Sequence, residues 1–147
     1  MRLTTKGRYA VTAMLDIAMH CQQRPVSVQE IAERQDISPA YLEQLVGRLK
    51  RAGLLASHRG PGGGYVLGSA DTVISVSEII SAVGEGVDAT RCGGAANCRE
   101  GHQCLTHNLW ADLSQQIDGF LKNIKLCDLV AEQQTSGEHQ RIATTLI

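Results

Sequence analysis

Three cysteines and a histidine lie close together in the second half of the chain. Cys92, Cys98, Cys104 and His107 have the spacing C-x5-C-x5-C-x2-H. The residues between them are mostly glycine, alanine and polar side chains, which give a thiol almost nothing apolar to pack against. Zinc and iron–sulfur clusters both accept three thiolates and one imidazole as ligands. The stretch therefore predicts a metal site.

The spacing helps to separate these two kinds of site. Structural zinc sites usually contain paired cysteines with about two to four residues between them. Here five residues separate each pair of consecutive cysteines, and this wide spacing favours a cluster, whose ligands must spread over several ångströms. His107 follows Cys104 by three positions, which places the two on one face of the first turn of a helix. His102 can also ligate, but His107 is better placed by its helix.

The elements that must position this stretch have clear start signals. Residues 6–22 carry apolar side chains at helical spacing, which predicts a first helix. Ser27 with Glu30, and Ser75 with Glu78, match the capping-box pattern. Two further short helices are therefore predicted to begin directly after the two serines.

Residues 38–53 predict another helix between these two. Ser38 can cap it, Pro39 suits its first turn, and Gly53 can end it in a left-handed conformation. One face of this helix is apolar, and the opposite face is small and polar. A short helix, a turn and a second helix with such an outer face is the helix-turn-helix pattern.

Two short apolar runs surround a proline–glycine turn in LLASHRGPGGGYVLG, which predicts a β-hairpin. A hairpin directly after a helix-turn-helix is the wing of a winged helix, and Arg59 lies where the wing would reach a minor groove. The glycines do not form a phosphate loop, since no Lys-Ser/Thr follows them and no helix begins there. We predict a mainly α fold with a small β-hairpin wing, and a winged helix-turn-helix domain over residues 1–83.

Apolar residues recur at helical spacing from Leu105 to Ile124, which predicts a helix of about 20 residues and about 30 Å. So small a domain cannot cover a helix of this length, and we predict that it pairs with its symmetry mate in a homodimer. Residues 84–107 would form the cluster-binding loop. Residues 105–133 would hold the dimerisation helix and a short last helix, and residues 134–147 a loose tail.

The distribution of charge along the chain indicates what kind of partner the protein binds. The first 67 residues carry 9 Lys and Arg against 5 Asp and Glu, and the remainder carries 5 against 10. The basic half favours a polyanion partner.

No stretch approaches the ~20 apolar residues of a membrane span, and no secretory cleavage site follows Met1. We predict a cytoplasmic protein without a membrane partner, in which cysteines serve metal or redox chemistry before disulfides. Cys21 and Cys127 are exceptions, since their apolar helical contexts predict small core residues.

Several motifs closely resemble a bacterial winged-helix family that includes iron–sulfur cluster regulators, nitric-oxide-sensing repressors and cysteine-metabolism repressors. The motifs are MRLTTKGRYAVTAMLDIA, YLEQL, RGPGGGY and DATRC…C…CLTH.LW.DL, and the resemblance covers residues 1 to about 132. Arg8 favours the iron–sulfur branch, because nitric-oxide sensors tend to carry an acidic residue near this position. The resemblance implies a homodimer with one 2Fe–2S cluster per subunit, donated by the cluster assembly scaffold. The implied ligands are Cys92, Cys98, Cys104 and His107.

The resemblance also implies a double-stranded DNA operator, one recognition helix entering each major groove. The implied DNA-binding residues are Ser38, Tyr41, Glu43 and Gln44 on or before that helix, and Arg59 on the wing. A carboxylate accepts from cytosine N4 and repels the acceptor-rich edge of guanine, so we expect Glu43 to make operator choice depend on the cluster state. Ala40 stands where the family commonly has serine, which removes one hydroxyl contact.

The sequence thus predicts a cluster-sensing transcription regulator, not an enzyme. The resemblance implies that it represses iron–sulfur assembly genes while clusters are plentiful, and that cluster loss relieves repression and changes the set of operators bound. The main alternative is a winged-helix DNA-binding protein with a structural zinc site. A small redox protein would need no winged helix. A metal-free thiol sensor would need an attacking and a resolving cysteine, and the spacing singles out no such pair.

Overall fold

The computed structural model describes residues 4–68 and 73–145, with the backbone alone for residues 138–145. Its elements, in chain order, are α1 (Thr5–His20), α2 (Val28–Gln35), α3 (Pro39–Arg51), β1 (Leu55–His58), β2 (Gly64–Leu67), α4 (Val76–Ala82), α5 (His107–Asn123) and α6 (Leu126–Thr145). In this part of the chain the two strands form one antiparallel sheet. The prediction of a mainly α fold with a β-hairpin wing is confirmed.

Both predicted capping boxes are present, and they start α2 and α4. Ser27 Oγ accepts from the Glu30 amide at 3.2 Å, and Glu30 Oε2 accepts from the Ser27 amide at 3.0 Å. Ser75 and Glu78 repeat the arrangement at 3.1 and 2.8 Å. Each box provides acceptors for amides that the first helical turn leaves without partners. These two helix starts are therefore specified by local sequence.

The second helix of the helix-turn-helix is α3, and its ends follow the predicted signals. Ser38 precedes it, and Ser38 Oγ accepts from the Tyr41 amide at 3.5 Å. Pro39 is its first residue. Gly53 has a φ of +81°, the left-handed conformation expected of a residue that follows a helix end. α3 packs against α1 and α2.

The wing is joined to the segment before α2 as well as to α3. Tyr65 of β2 exchanges two backbone hydrogen bonds with Val26, at 2.9 and 2.7 Å. Gly64 lies so close to this segment that a Cβ would come within 2.4 Å of the Val26 carbonyl oxygen. Only glycine permits this approach, so part of the glycine-rich motif serves the attachment of the wing.

The described core residues form one cluster, to which α1, α2, α3, β1, α4 and α6 contribute. Its largest fully buried hydrophobic side chains include Met14, Ile17, Ile31, Leu42, Leu45, Leu49, Ile79 and Leu126. Leu126 begins α6 and is 1% exposed. Since α6 packs against α1, a residue near the end of the chain completes the core of the winged helix.

A buried carboxylate ties α1 to α2. Asp16 is 2% exposed and accepts from Arg34 Nε at 2.9 Å, Arg34 Nη2 at 2.7 Å and Gln35 Nε2 at 2.8 Å. Burial alone would raise the pKa of Asp16. The hydrogen bonds from Arg34 and Gln35, with the charge of Arg34, outweigh burial and lower that pKa.

We expect Asp16→Asn to lower the free energy of unfolding by about 3 kcal/mol near neutral pH, because it leaves the Arg34 guanidinium without its counter-charge in a partly buried site. The folded-state pKa of Asp16 is lowered, so its contribution is complete above the ordinary value of 3.8 and is lost as the pH falls through the lowered value. Urea unfolding of both proteins across this range measures the difference. Exposed Asp112→Asn is the control and should stay within about 0.5 kcal/mol. A difference that widens toward acid pH would contradict this role of Asp16.

The predicted long helix ends earlier than expected. Ile124 has an extended backbone, so α5 stops at Asn123. The segment that follows pairs with the start of α4: the Val76 amide donates to the Ile124 carbonyl at 3.0 Å, and the Leu126 amide donates to the Ile74 carbonyl at 2.8 Å. This pairing explains the break, since these hydrogen bonds require extended backbone.

The last helix is longer than predicted. α6 runs to Thr145, so the prediction of a loose tail is wrong for residues 134–145, and residues 146 and 147 lie outside the described part. Residues 134–145 lack an apolar stripe, but they contain no proline and several good helix formers, so the helix continues from the anchored Leu126. Within the described residues, no helix combines the length and apolar character needed to cross a bilayer.

Candidate functional site

Two of the predicted thiol ligands and the predicted histidine ligand converge in the loop between α4 and α5. Cys92 Sγ lies 3.5 Å from His107 Nδ1, and Cys98 Sγ lies 3.7 Å from the same nitrogen. The ligand atoms of all three residues lie within 4.8 Å of one another. Two thiols and an imidazole nitrogen around one point form a donor set suited to a metal centre.

His107 is the most firmly positioned of these donors. It is the first residue of α5 and is 7% exposed, so the helix fixes its backbone and burial restricts its ring. His102 is exposed, and its backbone closes the loop by pairing with Arg99 at 2.8 and 2.7 Å. It does not belong to the converging group. Of the two histidines in the loop, the structure brings His107 to the thiols.

Cys104 lies beside the converging group. The prediction that Cys104 and His107 share the first turn of the helix is wrong, because α5 begins at His107 after the N-cap Thr106. The Cys104 amide donates to Cys98 Sγ at 3.0 Å, and its own Sγ lies 3.8 Å from Thr106 Oγ1. The loop thus brings three of the four predicted ligands together and holds the fourth next to Cys98.

Backbone amides surround the Cys92 thiol. Desolvation would raise the pKa of Cys92, but hydrogen bonds from the backbone amides of Ala96, Gly94 and Asn97 lower it to about 6. Gly94 and Ala96 have φ values of +84° and +58°, and this left-handed backbone wraps the amides around the sulfur. The lowered pKa favours the thiolate of Cys92, which is the form that binds metals.

The neighbouring thiols affect one another. The Cys104 amide alone would lower the pKa of Cys98, but desolvation and the adjacent thiols of Cys104 and Cys92 raise it. The pKa of Cys104 is lowered, first by its contact with Cys98. Deprotonation of all three thiols would place three negative charges close together, and a bound cation removes this repulsion. The donor set fits a cationic centre.

Two residues that support the loop stand in the quoted motif DATRC, but the sequence did not indicate their role. Thr90 Oγ1 donates to Asp88 Oδ1 at 2.6 Å and accepts from the Gly94 amide at 2.7 Å. The Thr90 amide also donates to Asp88 Oδ1, at 2.8 Å. Asp-x-Thr is a known turn-forming pattern, so the signal was present, but it does not indicate which side chains the turn supports.

The predicted DNA-binding side chains, with one exception, lie on the surface of the helix-turn-helix and wing. Ser38, Glu43 and Gln44 are exposed at the start and on the outer face of α3, and Arg59 is exposed at the hairpin turn. Tyr41 is half-buried instead, and its ring packs edge-on against Tyr9 with centroids 5.9 Å apart. Tyr41 therefore also serves packing between α1 and α3.

The wing contacts α3 through β1. The pKa of Tyr65 on β2 is raised, first by burial and then by the negative charge of Glu43. The carboxylate predicted to discriminate between bases therefore lies within electrostatic reach of the wing. Sequence spacing alone does not reveal this proximity, because twenty-two positions separate the two residues.

The other two cysteines lie away from the loop. Cys21 is half-buried and packs against the core, which agrees with its predicted role. Cys127 is exposed, so the prediction that it is a core residue is wrong. The helical turn that carries it directs Leu126, its neighbour, into the core instead.

Comparisons with known proteins agree with the fold and with the motifs. The Rrf2 family, described as "Iron-dependent Transcriptional regulator", matches residues 3–132. The HTH-type transcriptional regulator IscR of Serratia proteamaculans (strain 568) is 60% identical over 133 residues, which cover 90% of this chain and 81% of that protein.

Two solved structures extend this agreement. IscR of T. potens has a TM-score of 0.75 and 36% identity, covering 92% of this chain and 90% of that one. CymR, the global cysteine regulator of B. subtilis, has a TM-score of 0.77 and 32% identity, covering 90% and 98%. These relatives are regulators and not enzymes, as predicted. The chain, with its winged helix-turn-helix and most of its length matched, belongs to the Rrf2 family of transcriptional regulators.

Proposed function

We propose that this chain is an iron–sulfur cluster-sensing regulator of the IscR type, which represses cluster assembly genes and changes its choice of operators with its cluster state. The observation that carries the proposal is the convergence of Cys92, Cys98 and His107 in a loop attached to a winged helix-turn-helix. A regulator whose DNA-binding domain continues directly into a thiol-rich site can couple metal chemistry to DNA affinity.

We assign a 2Fe–2S cluster to the loop, with Cys92, Cys98, Cys104 and His107 as ligands. In support, three donor atoms already face one point, and the amide of Cys104 donates to the sulfur of Cys98. The cluster, when bound, supplies a centre that responds to iron, sulfide and oxidants. One imidazole in place of a fourth thiolate makes ligation sensitive to pH, which suits a sensor. The expected donor is the cluster assembly scaffold in the reducing cytoplasm.

The residues of the chain hold this site from two sides. His107 belongs to α5, and Cys92 belongs to a turn that Thr90 and Asp88 support. Ligands from both sides tie the turn to the helix. Without a common centre, only the contacts of Cys92 and Cys98 with His107 join the ligands, and this tie is weaker than bonds to one metal centre.

The same proposal includes a homodimer that binds a palindromic double-stranded DNA operator. α5 packs against α4 along one flank, and it leaves Leu109, Leu113 and Phe120 exposed on another. Leu109 is 58% and Phe120 64% exposed. Apolar faces of this kind mark interaction surfaces, and pairing α5 with its symmetry mate would cover this one. Ser38, Glu43, Gln44 and Arg59 would then meet DNA in two half-sites, with Tyr41 at the margin.

We expect the protein to sediment at twice the 15.8 kDa of one chain and Phe120→Glu to sediment as a monomer, because a carboxylate would be buried without a partner at the interface. Gln115→Glu lies on the same helix but off the apolar face, and it should stay dimeric. Analytical ultracentrifugation measures all three proteins. A dimeric Phe120→Glu protein would show that another surface holds the dimer.

Anaerobic purification tests the proposed function directly. Cluster-bound protein should absorb visible light and contain about equal amounts of iron and acid-labile sulfide, whereas a zinc protein would be colourless. It should also shift DNA from its own promoter, with an affinity that falls steeply with salt. Protein that holds neither iron nor sulfide after reconstitution would contradict the proposal.

A further inference from the structure

The first turn of α1 is not capped by the side chain of its own N-cap residue. Its N-cap Thr4 makes no side-chain hydrogen bond, and no acidic residue lies in the first turn. Gly7, in this turn, is buried, so its amide needs an acceptor from elsewhere. Glu85 supplies that acceptor: its Oε2 accepts from the Gly7 amide at 3.0 Å, from 78 positions away.

A second long-range contact joins the same region to the recognition helix. Arg48 of α3 donates from Nη1 to the carbonyl of Val83 at 3.0 Å. Val83 is the C-cap of α4. Its carbonyl has no partner within the helix, and the positively charged Arg48 side chain donates to it. Gly84 follows with a φ of +79°, and a Cβ there would lie 3.3 Å from Arg48 Nη1. Arg48 thus lies directly against the turn that leaves α4.

Residues 83–85 are also the root of the cluster loop. Three residues after Glu85, Asp88 begins the turn that carries Cys92, in which Thr90 Oγ1 donates to Asp88 and accepts from the Gly94 amide. The Ala89 amide donates to Ser114 Oγ of α5 at 2.7 Å. The segment that leads to the first proposed ligand therefore contacts α1 and α3 at its root and α5 at its far end. We name the Glu85–Gly7 and Arg48–Val83 hydrogen bonds the loop clamp.

We propose that the loop clamp transmits the state of the cluster loop to the DNA-reading helix, with Glu85 and Arg48 as positioning residues. The proposal rests on the proposed cluster-sensing function. Arg48 lies one helical turn after Gln44 on α3, so a shift of residues 83–85 acts on the helix that presents Glu43 and Gln44. Glu85 acts on α1, against which α3 packs. A change in the order of the cluster loop therefore changes the contacts that hold α1 and α3.

The test compares the affinity of cluster-bound and cluster-free protein for DNA from the protein's own promoter. Glu85→Ala removes the acceptor for Gly7, whereas Glu85→Gln keeps an acceptor oxygen and is the matched control. Arg48→Met removes the donors, with Arg51→Met as the control for loss of one positive charge on α3. Visible absorption and iron content show that each variant carries its cluster. Hydrogen exchange of the α1 first turn is a second readout.

We expect the ratio of the two affinities to be about 5-fold or more in the wild type. It should fall to within about 2-fold of unity in Glu85→Ala and Arg48→Met, with cluster content unchanged, and stay at the wild-type value in both controls. Cluster loss should speed exchange at Gly7 in the wild type and leave it unchanged in Glu85→Ala. If one variant fails to fold, the other decides.

Two results would overturn the loop clamp, and they are distinguishable. A wild-type ratio retained in both Glu85→Ala and Arg48→Met would overturn the clamp alone and leave cluster sensing intact. A wild type whose cluster makes no difference to DNA affinity would overturn cluster sensing, and the clamp with it.

Discussion

Cys92→Ala will yield a colourless protein from the anaerobic preparation that gives coloured wild type. The pKa of Cys92 is lowered to about 6 by the backbone amides around its sulfur, so Cys92→Ala removes a donor that is well prepared to bind a metal. Loss of even an outer-shell partner typically weakens a metal site by 10–100-fold, and loss of a ligand should exceed about 100-fold. Iron and sulfide analysis with the visible spectrum measures this.

The chain offers matched controls for this prediction. Cys127→Ala removes an exposed thiol outside the loop and should keep the full colour. His107→Ala should lose the cluster and His102→Ala should keep it, since of these two loop histidines it is His107 that faces the thiols. Cluster content that survives Cys92→Ala, or that disappears with His102→Ala, would show that the ligands are assigned wrongly.

Glu43→Ala will relax operator choice and leave overall affinity for DNA intact or higher. A carboxylate on the outer face of α3 penalises sites whose bases present acceptors to it. One such contact corresponds to about 1–3 kcal/mol of discrimination, or about 5- to 150-fold. Competition binding between the protein's own promoter and single-base variants of it measures discrimination in cluster-bound and cluster-free protein.

We expect Arg59→Ala on the wing to have a different effect from Glu43→Ala. It should weaken binding to all sequences by a similar factor and lower the salt dependence by about one counterion, without changing the preference between sites. Glu33→Ala removes an exposed negative charge from α2 and controls for net charge. If Glu43→Ala behaved like Arg59→Ala, with all sites affected equally, Glu43 would not be a discriminator.

Much of the fold was predictable because its signals are local. The Ser27 and Ser75 capping boxes, the Pro39 start and the Gly53 end each involve residues a few positions apart, and the structure contains all of them. The prediction of a loose tail was wrong because it relied on the absence of such a local signal. Residues 134–145 carry no periodic signal, and the helix there continues from an anchor at Leu126.

The site was predictable in composition but not in geometry. The spacing identified Cys92, Cys98 and His107, which the structure brings together, and it misplaced Cys104 on a helix that begins three residues later. The contacts of Glu85 and Arg48 could not be predicted. They depend on how α1, α3 and α4 pack. No sequence pattern around Glu85 indicates a partner 78 positions away, and none around Arg48 indicates a partner 35 positions away.

The placement of Leu126 has a consequence for any attempt to excise the DNA reader. A fragment ending at residue 83 would contain every helix of the winged motif, yet it would lose the side chain that seals the core next to α1 and the carboxylate that caps that helix. Such a fragment would expose apolar surface and unfold at lower denaturant concentration than the intact chain. The winged helix therefore shares its core with the segment that follows the cysteine loop, and we expect removal of that segment to lower its stability.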